Sequence, residues 1–163
     1  MDILLVNPDH GTKNNFPWGT LAVGSYLKNV KNFKVKMLDA SVDGEEYVTN
    51  QILENLSETK VVGFTSFSSD IPFVKNAIDK IKEINPNCLT VIGGPHTSLV
   101  PEQTVAYKNV DIVMYGDGEE ASAKLLEKIY SSDKRITNFD DIPGIVYLKN
   151  GELIKTNQPN NVD

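Results

Sequence analysis

A chain of 163 residues with 40% apolar and 23% charged side chains suits one domain around a single core and excludes extended disorder as its main state. Its net charge of -6, without a cluster of Lys and Arg, excludes a nucleic-acid surface, because phosphate binding needs cations gathered on one face. One cysteine, Cys88, excludes an internal disulfide, a four-cysteine zinc site and an iron-sulfur cluster held by this polypeptide.

In chain order, Ile3-Leu4-Leu5-Val6 reads as a buried strand ended by Asn7-Pro8. No signal peptide precedes it and no apolar run exceeds strand length, so a cytoplasmic protein without a membrane span is expected. Val23, Tyr26, Leu27 and Val30 have helical spacing, and Phe33 to Leu38 alternates as an edge strand with Val35 and Met37 on one face. Val48, Ile52 and Leu56 mark a second helix, and Val61 to Thr65 is a strand running into Ser66-Phe67-Ser68. Ser69-Asp70 offers capping oxygens to a third helix carrying Val74, Ala77, Ile78 and Ile81, which Asn85-Pro86-Asn87 stops. Cys88 opens a buried strand as an inert core thiol, and Thr90-Val91-Ile92 ends at Gly93-Gly94-Pro95-His96.

Thr97 to Lys108, with Pro101 inside, predicts one short irregular helix. Asp111 to Tyr115 is a strand ending at Gly116-Asp117-Gly118-Glu119, before a helix carrying Ala121, Leu125, Leu126 and Ile129. Gly144 to Lys155 reads as a β-hairpin with Asn150-Gly151 in its turn, and the Asn-rich stretch 157–163 reads as a linker. The expected fold is therefore α/β: a doubly wound, flavodoxin-like Rossmann sheet of five parallel strands in the order 2-1-3-4-5, plus the C-terminal hairpin. The corresponding divisions are 1–135 for the α/β domain, 136–156 for the hairpin extension and 157–163 for the linker.

Parallel strands bring the loops after them to one carboxyl edge, where open α/β sheets bind ligands. Gly116-Asp117-Gly118-Glu119-Glu120-Ala121 matches the dinucleotide pattern GxGxxA, yet it is the fifth βα turn and not the first. A carboxylate about 5 Å from a phosphate costs about 3 kcal/mol at a dielectric near 20, while a helix N-terminus returns about 0.3 to 1 kcal/mol. The acids therefore favour amide and hydroxyl donors over pyrophosphate. A phosphorelay receiver lacks its phosphoacceptor Asp here, Ser66 standing in its place, and a flavodoxin lacks its phosphate loop, replaced by Asn7-Pro8-Asp9-His10. In Gly93-Gly94-Pro95-His96, two successive glycines beside a His point to close approach of a ligand to the backbone.

Taken together, Asn7-Pro8, Phe16-Pro17-Trp18-Gly19-Thr20-Leu21-Ala22, Val62 to Ser66, Ile92 to His96, Asp111 to Glu119 and Pro143 to Tyr147 give the chain a resemblance. It resembles the N-terminal cobalamin (vitamin B12)-binding domain of cobalamin-dependent radical S-adenosylmethionine (SAM) enzymes. The match runs in order over almost the whole chain, with Gly116-Asp117-Gly118-Glu119 where Gly-Glu-Gly-Glu is more usual.

The resemblance implies a corrin on the carboxyl edge, its nucleotide tail beside the sheet. Cofactor contacts are then expected from Asn7, Pro8, Trp18, Gly19, Ser66, Phe67, Ser68, Gly93, Gly94, Pro95, His96, Gly116, Gly118 and Glu119. Asp9-His10-Gly11 has the wrong spacing for the cobalt-ligating DxHxxG loop of other cobalamin proteins. The expectation is cobalt without a protein His, His10 being the one candidate ligand. The chain lacks the family's CxxxCxxC motif, so a [4Fe-4S] cluster and S-adenosylmethionine would belong to a radical SAM domain following it. The implied role is a module presenting cobalt, as methylcobalamin, for methyl transfer or a related rearrangement on an unidentified substrate. Alternatives are a degenerate module that has lost the cofactor and serves recognition, and a stand-alone corrinoid shuttle.

Overall fold

The structure, a computed structural model, describes residues 1–11, 16–133 and 135–158. Five strands are parallel: β1 (Ile3–Asn7), β2 (Val35–Asp39), β3 (Val61–Thr65), β4 (Leu89–Gly93) and β5 (Ile112–Met114). Their order is 2-1-3-4-5, as the alternation of strand and helix patterns predicts. The hairpin β6 (Ile145–Lys149) and β7 (Glu152–Lys155) does not stand apart. β6 pairs antiparallel with β5, and the result is one mixed sheet of seven strands, 2-1-3-4-5-6-7.

Strands covered on both faces read as continuous apolar runs. In β1, Leu4 and Val6 face one core, and Ile3 and Leu5 face the other. The first core receives α3 (Glu45–Glu54), α4 (Ile71–Ile84) and α6 (Pro101–Val105), with Val48, Ile52, Val74, Ile78 and Val105 buried. The second receives α1 (Trp18–Ser25) and α7 (Glu119–Tyr130), with Leu27, Leu125 and Leu126 buried. Each such side chain is worth roughly 1.5 to 3 kcal/mol on burial. Phe139, Ile142 and Tyr147 join the second core, so the stretch after residue 135 packs into the same hydrophobic interior.

Two helices depart from expectation. Val30, expected on the buried stripe, is 61% exposed. After Ser25 the helix widens into a π turn over Tyr26–Val30, closed by Lys31 N–H donating to Tyr26 O at 3.2 Å, and the wider turn carries Val30 off the buried face. The single helix expected over 97–108 is two, α5 (Pro95–Leu99) and α6. Val100 precedes Pro101, which bars the helical region to it, and it adopts φ -136° and ψ 54°. A short helix, α2 (Ala40–Asp43), also follows β2 directly, where Asp39 accepts the Ser41 N–H at 3.0 Å.

Past β7, Gly144 N–H donates to Asn157 O at 3.0 Å, and Tyr115 Oη donates to Thr156 O, so the first residue assigned to the linker is tied to the sheet. Pro159 and Asn160-Asn161, on which the linker reading also rested, lie outside the described residues.

Candidate functional site

A cavity of about 190 Å³ runs from the carboxyl edge down between the sheet and the α1/α7 pair. Its floor follows from strand register. Leu5, Gly63 and Val91 stand side by side on β1, β3 and β4, and Gly63 contributes no side chain to that row. A Cβ on Gly63 would stand 3.1 Å from Leu5 Cδ2. One step toward the edge, Thr65 pairs with Gly93, and both line the cavity. An isolated glycine inside a strand marks such a close approach, so Val62-Gly63-Phe64 carried a signal that the expected site residues omitted.

The lid comes from two helices. Gly19, Thr20 and Val23 of α1 face Glu119, Ser122 and Leu125 of α7 across the cavity, with Gly116, Asp117 and Gly118 at its mouth. Tyr26 Oη donates to Glu120 Oε2 at 2.7 Å and fastens one helix to the other. That bond raises the Tyr26 hydroxyl above its ordinary pKa. Thr20 Oγ1 is buried with no hydrogen-bond partner, in a wall otherwise apolar apart from Thr65, Ser122 and the acids at the mouth. A buried hydroxyl left unsatisfied is costly, so Thr20 fits a ligand that brings a polar group into the cavity.

Of the residues expected to bind cofactor, Gly19, Gly93, Gly94, Gly116, Gly118 and Glu119 line this cavity. The others gather around the same edge but outside it. Asn7 and Pro8 are buried, and the Asn7 carboxamide is spent inside the protein: Nδ2 donates to Asp39 at 2.9 Å and Oδ1 meets His10 Nε2 at 3.1 Å. Ser66 is buried and donates its hydroxyl to Gly93 O at 3.0 Å. Ser68 does not cap the following helix; its hydroxyl lies 2.9 Å from His96 Nδ1, and Asp70 takes the capping role by accepting Phe67 N–H at 2.6 Å. His96 Nε2 is buried without a partner. Pro95 begins α5, and Phe67 and Trp18 are exposed, Trp18 resting against Phe16 with ring centroids 4.6 Å apart.

Two glycines answer to the protein itself. Gly94 has φ 101°, and a Cβ there would meet Ser66 N and Thr65 Oγ1 at 2.7 Å, so backbone packing alone demands glycine. Gly116 has φ 74°, and the carboxamide of Gln158 lies against its open face. Gln158 is thus a neighbour of the mouth that sequence spacing gave no means of finding.

The B12 binding domain family model matches residues 13–126. An anaerobic magnesium-protoporphyrin IX monomethyl ester cyclase of Cereibacter sphaeroides is 26% identical over 96% of this chain and 26% of its own length. An uncharacterized methyltransferase of Pyrococcus horikoshii is 26% identical over 84% of this chain and 29% of its own length. The chain therefore spans less than a third of these relatives. Two solved structures share the fold. The radical S-adenosylmethionine methyltransferase TsrM of Kitasatospora setae, with cobalamin and a [4Fe-4S] cluster bound, gives a TM-score of 0.81 at 20% identity, over 98% of this chain and 29% of that one. The cobalamin-dependent S-adenosylmethionine radical enzyme OxsB, with aqua-cobalamin and S-adenosylmethionine bound, gives 0.78 at 21% identity, over 98% of this chain and 22% of that one. Family match, sheet order and a glycine-floored cavity at the carboxyl edge agree, and the chain belongs to the B12 binding domain family.

Proposed function

We propose that the chain binds cobalamin and serves as the corrinoid module of a radical SAM enzyme. The observation that carries this reading is the gap over Gly63, which leaves a slot between the sheet and two helices, open at the edge. At about 190 Å³ the slot lies below the roughly 300 Å³ at which drug-sized pockets begin, so it suits a bicyclic base and not a corrin macrocycle. The nucleotide tail would enter it, with Thr20, Thr65 and Ser122 offering hydroxyls along the apolar walls. The corrin would lie across Gly93, Gly94, Gly116 and Gly118, where its amides could donate to Asp117 and Glu119. Exposed Phe16, Trp18, Phe67 and Leu99 would border the ring.

When bound, cobalamin would supply the cobalt centre on which methyl transfer or a related radical reaction depends. The residues of this chain would hold and orient it. Among the described residues no group of His, Cys, Asp and Glu is arranged to hold a metal ion. In this reading a [4Fe-4S] cluster and S-adenosylmethionine would be provided by a radical SAM domain. No described helix is long and apolar enough to cross a membrane. Titration with hydroxocobalamin, followed by its visible spectrum, tests the reading. Saturable uptake is expected, and failure of the protein to take up any corrinoid would favour a degenerate recognition module.

Substituting Gly94, whose side of the turn packs on backbone, would damage the apo fold and cannot separate those alternatives. Gly93 can. A Cβ there meets only Met114 Cβ at 3.9 Å and Phe64 O at 4.0 Å, ordinary contacts, so the backbone accepts a side chain here, and Gly93→Leu is expected to obstruct the slot that Gly93 lines.

A further inference from the structure

We propose that His10 is a positioning residue, whose ring donates hydrogen bonds from both nitrogens and locks the β1 and β3 loops into one rim beneath Phe67. The reasoning begins at Asp39. Its carboxylate can only accept, so the Asn7 amide nitrogen, 2.9 Å away, must donate to it. That fixes the orientation of the carboxamide and leaves Asn7 Oδ1, an acceptor, 3.1 Å from His10 Nε2. On the other side of the ring, Nδ1 lies 2.6 Å from Asp70 Oδ2. Asp70 already accepts Phe67 N–H at 2.6 Å and the Ser69 hydroxyl at 3.0 Å. With Asp70 as a carboxylate, both ring nitrogens face acceptors, and both bonds form when both nitrogens carry hydrogen.

The site is dry enough for these bonds to matter: the side chains of His10 and Asp70 are 5% and 0% exposed. Among the described residues the charged groups around the ring are Asp70 from the start of α4 and, through Asn7, Asp39 from the end of β2. Asp9, on the same loop, turns back to accept Gly11 N–H at 3.0 Å. The ring joins the Asp70 carboxylate directly to the Asn7 carboxamide, and a buried contact that is also hydrogen-bonded on both sides resists separation. The His10 ring also meets the Phe67 ring edge to face, with centroids 4.7 Å apart. His10 therefore supports Phe67 from below while Asp70 holds its backbone. With no lone pair left on either nitrogen, the ring cannot ligate cobalt while this network stands.

The importance of the clamp for the rim rests on the cobalamin reading; the protonation of the ring does not. The chain holds two histidines, so nitrogen-15 histidine labelling and a long-range proton-nitrogen correlation of the cofactor-free protein at neutral pH, assigned with His96→Gln, report on His10 directly. Two protonated ring nitrogens are expected, and one bare nitrogen on His10 would overturn the proposal. In hydroxocobalamin titrations, His10→Ala is expected to weaken uptake roughly tenfold, a loss of one or two hydrogen bonds. Phe67→Ala added to it should then cost little more, and full additivity of the two losses would refute the positioning role. In the loaded protein reduced to cobalt(II), the electron paramagnetic resonance spectrum should be the same with nitrogen-14 and nitrogen-15 histidine, and a label-dependent splitting would show ligation instead. Absence of any corrinoid uptake by the unaltered protein would remove the cofactor reading alone, and the ring nitrogen spectrum would still decide the clamp.

Discussion

Neighbouring glycines in this site do different work. Gly94 is held at φ 101° against the Thr65-Ser66 backbone, so Gly94→Ala should destabilise the cofactor-free chain by roughly 1 to 3 kcal/mol in denaturant unfolding. Gly93→Leu should leave the unfolding midpoint nearly unchanged and weaken hydroxocobalamin uptake at least roughly tenfold. An equal loss of stability in both variants would contradict that division. Cys88 gives a third residue-scale expectation. Burial pushes its thiol up to about 11, against which nearby Lys82 pulls only partly. A thiol reagent at mildly alkaline pH should leave it untouched in the folded chain and modify it once the chain unfolds. The double glycine was visible in the sequence, but which of the pair serves the turn and which the slot depends on the register of β4 against β3. His10 was visible only as a misplaced motif, because its partners Asn7 and Asp70 come together through the strand order.

Among the elements, the hairpin is the addition that periodicity could name but not place. Asn150-Gly151 announced the turn, with Asn150 at φ 53° and Gly151 at φ 85°. Nothing local said that β6 would annex the β5 edge, since that depends on Ile145 and Tyr147 finding the core beside α7. The hairpin is then pinned by polar contacts: Lys149 Nζ to Asp140 at 2.6 Å, Tyr147 Oη to the same carboxylate, and Lys155 Nζ to Glu102 at 2.5 Å. The bonds from Lys149 and Tyr147 hold the Asp140 carboxyl below 3.8, its ordinary value. A carboxyl with a lowered folded pKa contributes stability in full above the unfolded value, and that contribution fades as pH falls through the folded one. Asp140→Asn should accordingly lower the melting temperature at neutral pH and have no such effect well below pH 3.8, as a pair of thermal scans would show. A deficit that persisted in acid would mean that shape and not charge holds the segment. The π turn at Tyr26–Val30 and the break before Pro101 were likewise beyond periodicity, which assumes one uninterrupted helical phase.

For the molecule as a whole, the alternation of apolar strands and amphipathic helices was enough to give the 2-1-3-4-5 core, because right-handed crossovers leave few other arrangements. The carboxyl-edge loops do meet, yet the side chains of Asn7, Ser66, Ser68 and His96, expected to reach outward, are hydrogen-bonded within the protein. In the proposed function, binding would rest instead on what is missing: side chains absent over Gly63 and Gly93, and a partner absent from Thr20 Oγ1. A slot of this kind should recognise the nucleotide tail more than the macrocycle. The direct check is to titrate the chain in parallel with hydroxocobalamin and with cobinamide, which carries the same corrin but no nucleotide base. Hydroxocobalamin should bind at least roughly tenfold more tightly, as expected when an aromatic base is buried in an apolar slot. Equal affinities, or a preference for cobinamide, would mean that the slot beneath the edge does not hold the tail.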